Sequence, residues 1–145
     1  MNMTIEEISG IAPDVIPEAE KNENHTNPYI SFSRLEDLCR DDEDLKELLD
    51  QVVLYSLKYT ETVCKFEQIV KNQEKDAEAR KDIESLRTRT HDATIDAINI
   101  LARTVKKKGK DNSWISRVST DGRPGYMKFA ILLAFEYVLK CESDE

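Results

Sequence analysis

The chain has 145 residues, of which 39% are apolar and 34% charged, with a formal net charge of -8. That length suits one domain around one sizeable core. The negative balance opposes generic binding to nucleic acid or an anionic membrane, while permitting a local basic site or an acidic surface that engages a basic protein. The start, MNMTIEEISG, lacks the basic and then apolar regions of a signal peptide, and no apolar run approaches ~18 residues, so a cytoplasmic protein with no membrane contact is expected. Cys39, Cys64 and Cys141 are widely spaced and form no CxxC pair. They are expected to be reduced, buried thiols, and no metal site or cofactor is expected.

Residues 1–32 carry Pro13, Pro17 and Pro28, an acidic excess and few large apolar side chains. They are expected to form a flexible N-terminal arm, in which Ile5, Ile8, Ile11 and Ile16 would allow a short docking segment. Ser33-Arg-Leu-Glu36 has the capping-box pattern and would open a short helix through Cys39. Asp41 or Asp42 would cap a long helix reaching about Asn72. Its seam of Leu45, Leu49, Val52, Ser56, Tyr59, Val63, Phe66 and Val70 alternates steps of four and three. Leu48, Val53, Leu57 and Ile69 widen the seam, as in a helix packed inside a bundle.

After a polar break, a third helix is expected from about Asp76 to Lys107. Gly109 would end it, with the lysines of 106–110 at the negative end of its dipole. Residues 109–123 read as a loop anchored by Trp114 and Ile115. A last helix, apolar on most sides, would run from near Pro124 to about Cys141, leaving 142–145 as a disordered tail. The expected class is all-α: a helical bundle of three to four main helices over 33–141, behind the acidic arm. The seam and the last helix offer more apolar surface than three helices easily hide, which points to a homo-oligomer.

The third helix holds the candidate site. Ile83, Leu86, Ala93, Ala97, Ile98, Leu101 and Val105 share an apolar face, while Arg89, Asp92, Asp96, Asn99 and Arg103 fall in an opposite arc of about 80°. That arc reads first as a solvated salt-bridge stripe. Arg87 and His91 instead lie one turn apart, within or at the margin of the apolar arc. An unpaired buried guanidinium is very costly, so Arg87 needs a partner. The pair would either tie the helix to a neighbouring carboxylate or carbonyl, or form an anion pocket helped by Arg123, since arginine forks suit phosphate and carboxylate. His91 and Asp92 are adjacent in sequence but are not expected to share a helical face. No nucleophile motif, Walker loop or HExxH accompanies them, so no catalytic residue is assigned. His25 falls in the arm. The lysine run reads as a solvated helix end and not as a nucleic-acid site, with Trp114 and Tyr126 as anchors.

The pattern Arg-x-x-x-His-Asp-x-x-Ile-x-x-Ile-Asn-x-Leu-x-Arg over 87–103 resembles that of small uncharacterised all-helical proteins of Gram-positive bacteria and their phages. The resemblance spans about residues 33–140, and Asp92 stands where that pattern has Asn. It implies a helical domain often encoded near mobile elements and no enzyme activity. A second, weaker similarity is to phage proteins that sequester cyclic nucleotides between helices of an oligomer. The expected function is non-enzymatic: an interaction protein, such as a phage or mobile-element encoded inhibitor of a host protein. The alternative is a sequestering protein for a nucleotide or small anion, with Arg87, His91, Asn99, Arg103 and Arg123 as ligand-binding residues.

Overall fold

The computed structural model describes Thr4, Glu6, Ile8 and residues 28–71 and 77–143. Among these residues the chain forms five helices and no strand: α1 (Phe32–Cys39), α2 (Glu43–Lys71), α3 (Ala77–Lys107), α4 (Trp114–Thr120) and α5 (Gly122–Ser143). The all-α bundle expected from the sequence is the observed fold. Most of the segment 1–32, including His25, lies outside the described residues, as do the 72–76 break, the Val70 side chain and residues 144–145.

The N-cap of α1 is Ser31 and not Ser33: its Oγ accepts the Arg34 N–H at 3.3 Å. Capping from Ser31 starts the helix two residues earlier and so includes Phe32, which is buried edge-on to Tyr137 with ring centroids 5.6 Å apart. Asp42 caps α2 as expected, its Oδ1 accepting the Leu45 N–H at 3.1 Å.

α2 and α3 form a long antiparallel hairpin. Asp42 meets Lys108, Tyr55 meets Thr94, Tyr59 meets His91 and Phe66 meets Arg87 along its length. Small buried side chains, Ser56, Thr60, Thr90, Thr94 and Ala97, bring the two helices close. Threonine hydroxyls are satisfied by carbonyls one turn back, as in Thr60 to Ser56 at 2.7 Å. Thr94 bonds the Thr90 carbonyl at 2.6 Å and also reaches the Tyr55 carbonyl across the interface at 3.2 Å.

α3 ends where glycine permits a left-handed residue. Gly109 has φ 79°; its N–H donates to the Lys106 carbonyl and the Lys110 N–H to the Val105 carbonyl. This is a Schellman closure. The stretch read as a loop over 109–123 contains α4, whose Val118 is fully buried while Trp114 and Ile115 pack against the core. Turn-forming residues on either side masked a helix of 7 residues. Gly125 then lets α5 pass close to α4, because a Cβ there would sit 2.6 Å from the Val118 carbonyl oxygen.

α5 is central. Phe129, Ala130, Leu132, Leu133, Ala134 and Phe135 are all buried, and α2 and α4 supply most of the cover. The apolar surface that suggested a second subunit is therefore hidden within one chain at this helix. The core also reaches upstream of residue 33, since Ile8, Tyr29 and Phe32 belong to it. Cys39 and Cys64 are buried as expected, whereas Cys141 is exposed, because it lies beyond the last turn of α5 that the core covers. Among the described residues, no helix is long and apolar enough to cross a membrane.

Candidate functional site

Three of the five candidate residues converge. Arg87 and His91 on α3, with Arg123 at the start of α5, line one open cleft of about 430 Å³, together with Tyr59 from α2, Asp92, and an apolar wall that includes Met127. The hairpin register explains the convergence, since it sets Tyr59 beside His91 and Phe66 beside Arg87.

Arg87 is half-buried, and its guanidinium carbon lies 4.5 Å from the centroid of the Phe66 ring. Among the described residues, no carboxylate comes within salt-bridge distance of it. The aromatic face supplies part of the stabilisation that a carboxylate would otherwise provide, and the remaining donors of the fork stay available. Tyr59 is buried, and desolvation pushes its hydroxyl pKa up, with the Arg87 charge acting in the opposite direction. The phenol is thus held in its neutral, donating form.

His91 stands edge-on to Tyr59, with centroids 6.1 Å apart, and its Nδ1 lies 3.1 Å from Asp92 Oδ1. Sequence spacing had placed these two on different faces of the helix. Their backbones diverge by one residue's rotation, yet the short carboxylate swings back far enough to meet the ring. Asp92 Oδ1 also sits 3.8 Å from Arg123 Nη2, an ion pair too long for a direct hydrogen bond. With its side chain 76% exposed, Arg123 is free to turn into the cleft. The cleft therefore carries two guanidinium groups against one carboxylate.

Asn99 and Arg103 do not join this site. Asn99 Oδ1 accepts the Tyr126 hydroxyl at 2.6 Å and ties α3 to α5. It lies about 12 Å along α3 from His91 by the ~1.5 Å rise per residue. Arg103 is exposed, farther along the helix, and has no ion pair among the described residues. Arg89, Asp92, Asp96 and Arg103 do form the exposed stripe that the 100° spacing suggests, while Asn99 leaves it for Tyr126.

Sequence reasoning missed Tyr59, Phe66, Asp92 and Met127 as parts of the site. Tyr59 and Phe66 continue the α2 seam, so they read as core. A usable signal was that both are aromatic where the first seam positions, Leu45, Leu49 and Val52, are aliphatic, and that folding back over a short break sets them beside His91 and Arg87. Of the lysine run, Lys106 and Lys107 are exposed as expected. Lys108 instead binds Asp42 and Asp44, and Lys110 Nζ donates to the Leu38 carbonyl at 2.7 Å. Among the described residues, no group of three or more His, Cys, Asp or Glu side chains is placed to hold a metal ion. No family model, no curated protein and no solved structure matches the chain.

Proposed function

We propose that this protein works by binding a small phosphate-bearing anion, such as a mononucleotide, in the cleft of Arg87, His91 and Arg123. The observation that carries this reading is Arg87. It is a half-buried guanidinium with no carboxylate partner among the described residues, opening onto a cleft that a second arginine also lines. A planar forked donor held against an aromatic ring can bond two oxygens of a phosphate or carboxylate at once. The volume of about 430 Å³ lies in the lower part of the range for small-ligand pockets. Met127 and Pro124 give the non-ionic part of a ligand an apolar wall.

Binding without turnover is part of the proposal. Two hydroxyls line the cleft: Thr88 Oγ1 donates to the Glu84 carbonyl at 3.2 Å, desolvation keeps the Tyr59 phenol neutral, and neither is hydrogen-bonded to a side-chain base among the described residues. The His91–Asp92 contact is then a way of orienting the ring and not half of a catalytic pair.

Calorimetry on the full chain with AMP, inorganic phosphate and adenosine tests the reading. AMP and phosphate are expected to bind and adenosine is not. Arg123→Ala should weaken AMP binding about tenfold or more, the loss of one charge-assisted contact. Its circular dichroism should be unchanged, because the side chain is exposed. Equal affinity in Arg123→Ala, or no binding of either anion, would overturn the proposal, and steady release of phosphate from AMP would replace it with a hydrolase.

A further inference from the structure

We infer that a second surface, the groove between α2 and α3, is a docking site for a basic amphipathic helix of a partner protein. It is separate from the anion cleft, since His91 and Ala93 lie about 160° apart around α3 at ~100° per residue. The groove encloses about 650 Å³, with Leu48, Tyr55 and Ile100 giving it an apolar floor. Ile100 is 40% exposed, one of three large apolar side chains left open among the described residues. Ala93 and Ala97, one turn apart, keep the α3 wall low, so that another helix can approach closely. From Ala93 to Thr104 the groove follows three turns of α3, roughly 16 Å at ~1.5 Å per residue, enough for a helical segment of about eleven residues.

Charge decides what occupies it. Asp44, Glu47 and Asp96 line the groove, and no lysine or arginine does among the described residues. Lys108 bonds Asp44 at 2.9 Å but leaves that side chain 76% exposed. Glu47 and Asp96 have no ion pair among the described residues. The chain's own segment 9–27 is a poor occupant, because it sets Asp14, Glu18, Glu20 and Glu23 against Lys21 alone. A second copy docked face to face is equally disfavoured, because a two-fold contact would bring both sets of carboxylates together. A partner helix with apolar residues at i, i+3 or i+4, and i+7, flanked by lysine or arginine, satisfies floor and walls at once.

Fluorescence anisotropy with the full chain and a labelled peptide of about fourteen residues provides the test, with leucine at those positions and lysine at the flanks. A glutamate counterpart and a scrambled peptide of the same composition serve as comparisons. The lysine helix is expected to bind at least ~10-fold tighter than either. Ile100→Lys should weaken it by ~10-fold or more, and Asp96→Lys should shift preference towards the glutamate peptide. Both positions are exposed, so thermal melts should show the fold intact. Several results would overturn the inference: no binding at ~100 µM, equal binding of the scrambled peptide, or indifference to Ile100→Lys. Sedimentation revealing a self-associated chain that Ile100→Lys dissociates would assign the groove to a second copy instead.

Discussion

Ser56 and Thr60 lie one turn apart on α2 and are both fully buried, yet only one hydroxyl is satisfied. Thr60 donates to the Ser56 carbonyl, whereas Ser56 Oγ has no hydrogen-bond partner among the described residues. An unsatisfied buried hydroxyl costs about 1–3 kcal/mol relative to a satisfied one, and alanine fills nearly the same space. Ser56→Ala is therefore expected to raise stability by up to ~1 kcal/mol, seen as a higher urea midpoint with an unchanged slope. A loss of stability would mean that this hydroxyl has a partner after all. At the same scale, the anomaly of Arg87 and His91 was legible in the sequence, because a charge inside an apolar arc stands out by position alone. The role of Asn99 was not: an amide on the polar arc reads as solvated until the helix carrying Tyr126 is laid across it.

Between elements, the α2–α3 hairpin is tied at its open end by the lysine run. Lys108 reaches Asp42 and Asp44 across the helix ends, and Asp42 at the same time caps α2. The hydrogen bond from Lys108, followed by that from the Leu45 N–H, holds the Asp42 carboxyl below its usual range, and the bonds that Lys108 donates to Asp42 and Asp44 raise its own pKa. A carboxylate with a depressed folded pKa stabilises above its unfolded value of 3.8 and loses that contribution as pH falls through the folded one. Lys108→Gln should therefore lower Tm on the order of 2 °C at neutral pH, as suits an exposed charge pair. The difference should vanish in melts taken as pH falls below 3.8 and Asp42 protonates. A constant difference at all pH values would assign the effect to packing of the lysine stem. Helix count and approximate limits were readable from capping residues and periodicity, except for α4, which is too short to carry a periodic pattern. The start of α1 also shifted, because two nearby serines offer equivalent caps and only burial of Phe32 separates them.

For the whole molecule, Tyr29 closes the core from the upstream side. Its ring meets Phe129 edge-on at 5.7 Å, and its hydroxyl donates to Asp121 Oδ2 at 2.8 Å. Burial first, and then the hydrogen bond to the Asp121 carboxylate, pushes its pKa up to about 12. A raised folded pKa means that this stabilisation is full below the unfolded value of 10.0 and is lost as pH rises towards about 12. Tyr29→Phe keeps the ring packing and loses only the bond, so it should cost about 1 kcal/mol near neutral pH. Denaturant titrations should find the gap between the two proteins closing from pH 10 to 12. A gap that stays constant would show that the bond contributes nothing. Tyr29 was placed in the arm by composition, since the acidic, proline-bearing segment before it carries too little apolar surface to predict burial.

The sequence alone determined that the chain is helical, where its long helices run, and that Arg87 and His91 are out of place on an apolar face. These are local properties: periodicity, capping residues and side-chain type act over a few turns and leave their mark on neighbouring positions. The tertiary structure alone decided which polar groups become a site. Arg123 joins Arg87 because α5 begins beside α3, Asn99 is withdrawn because Tyr126 faces it, and the groove is acidic because Asp96 on one helix lines it together with Asp44 and Glu47 on another. Partners so far apart in the chain share no local pattern. Their meeting depends on how three helices pack, and that is set by the whole core.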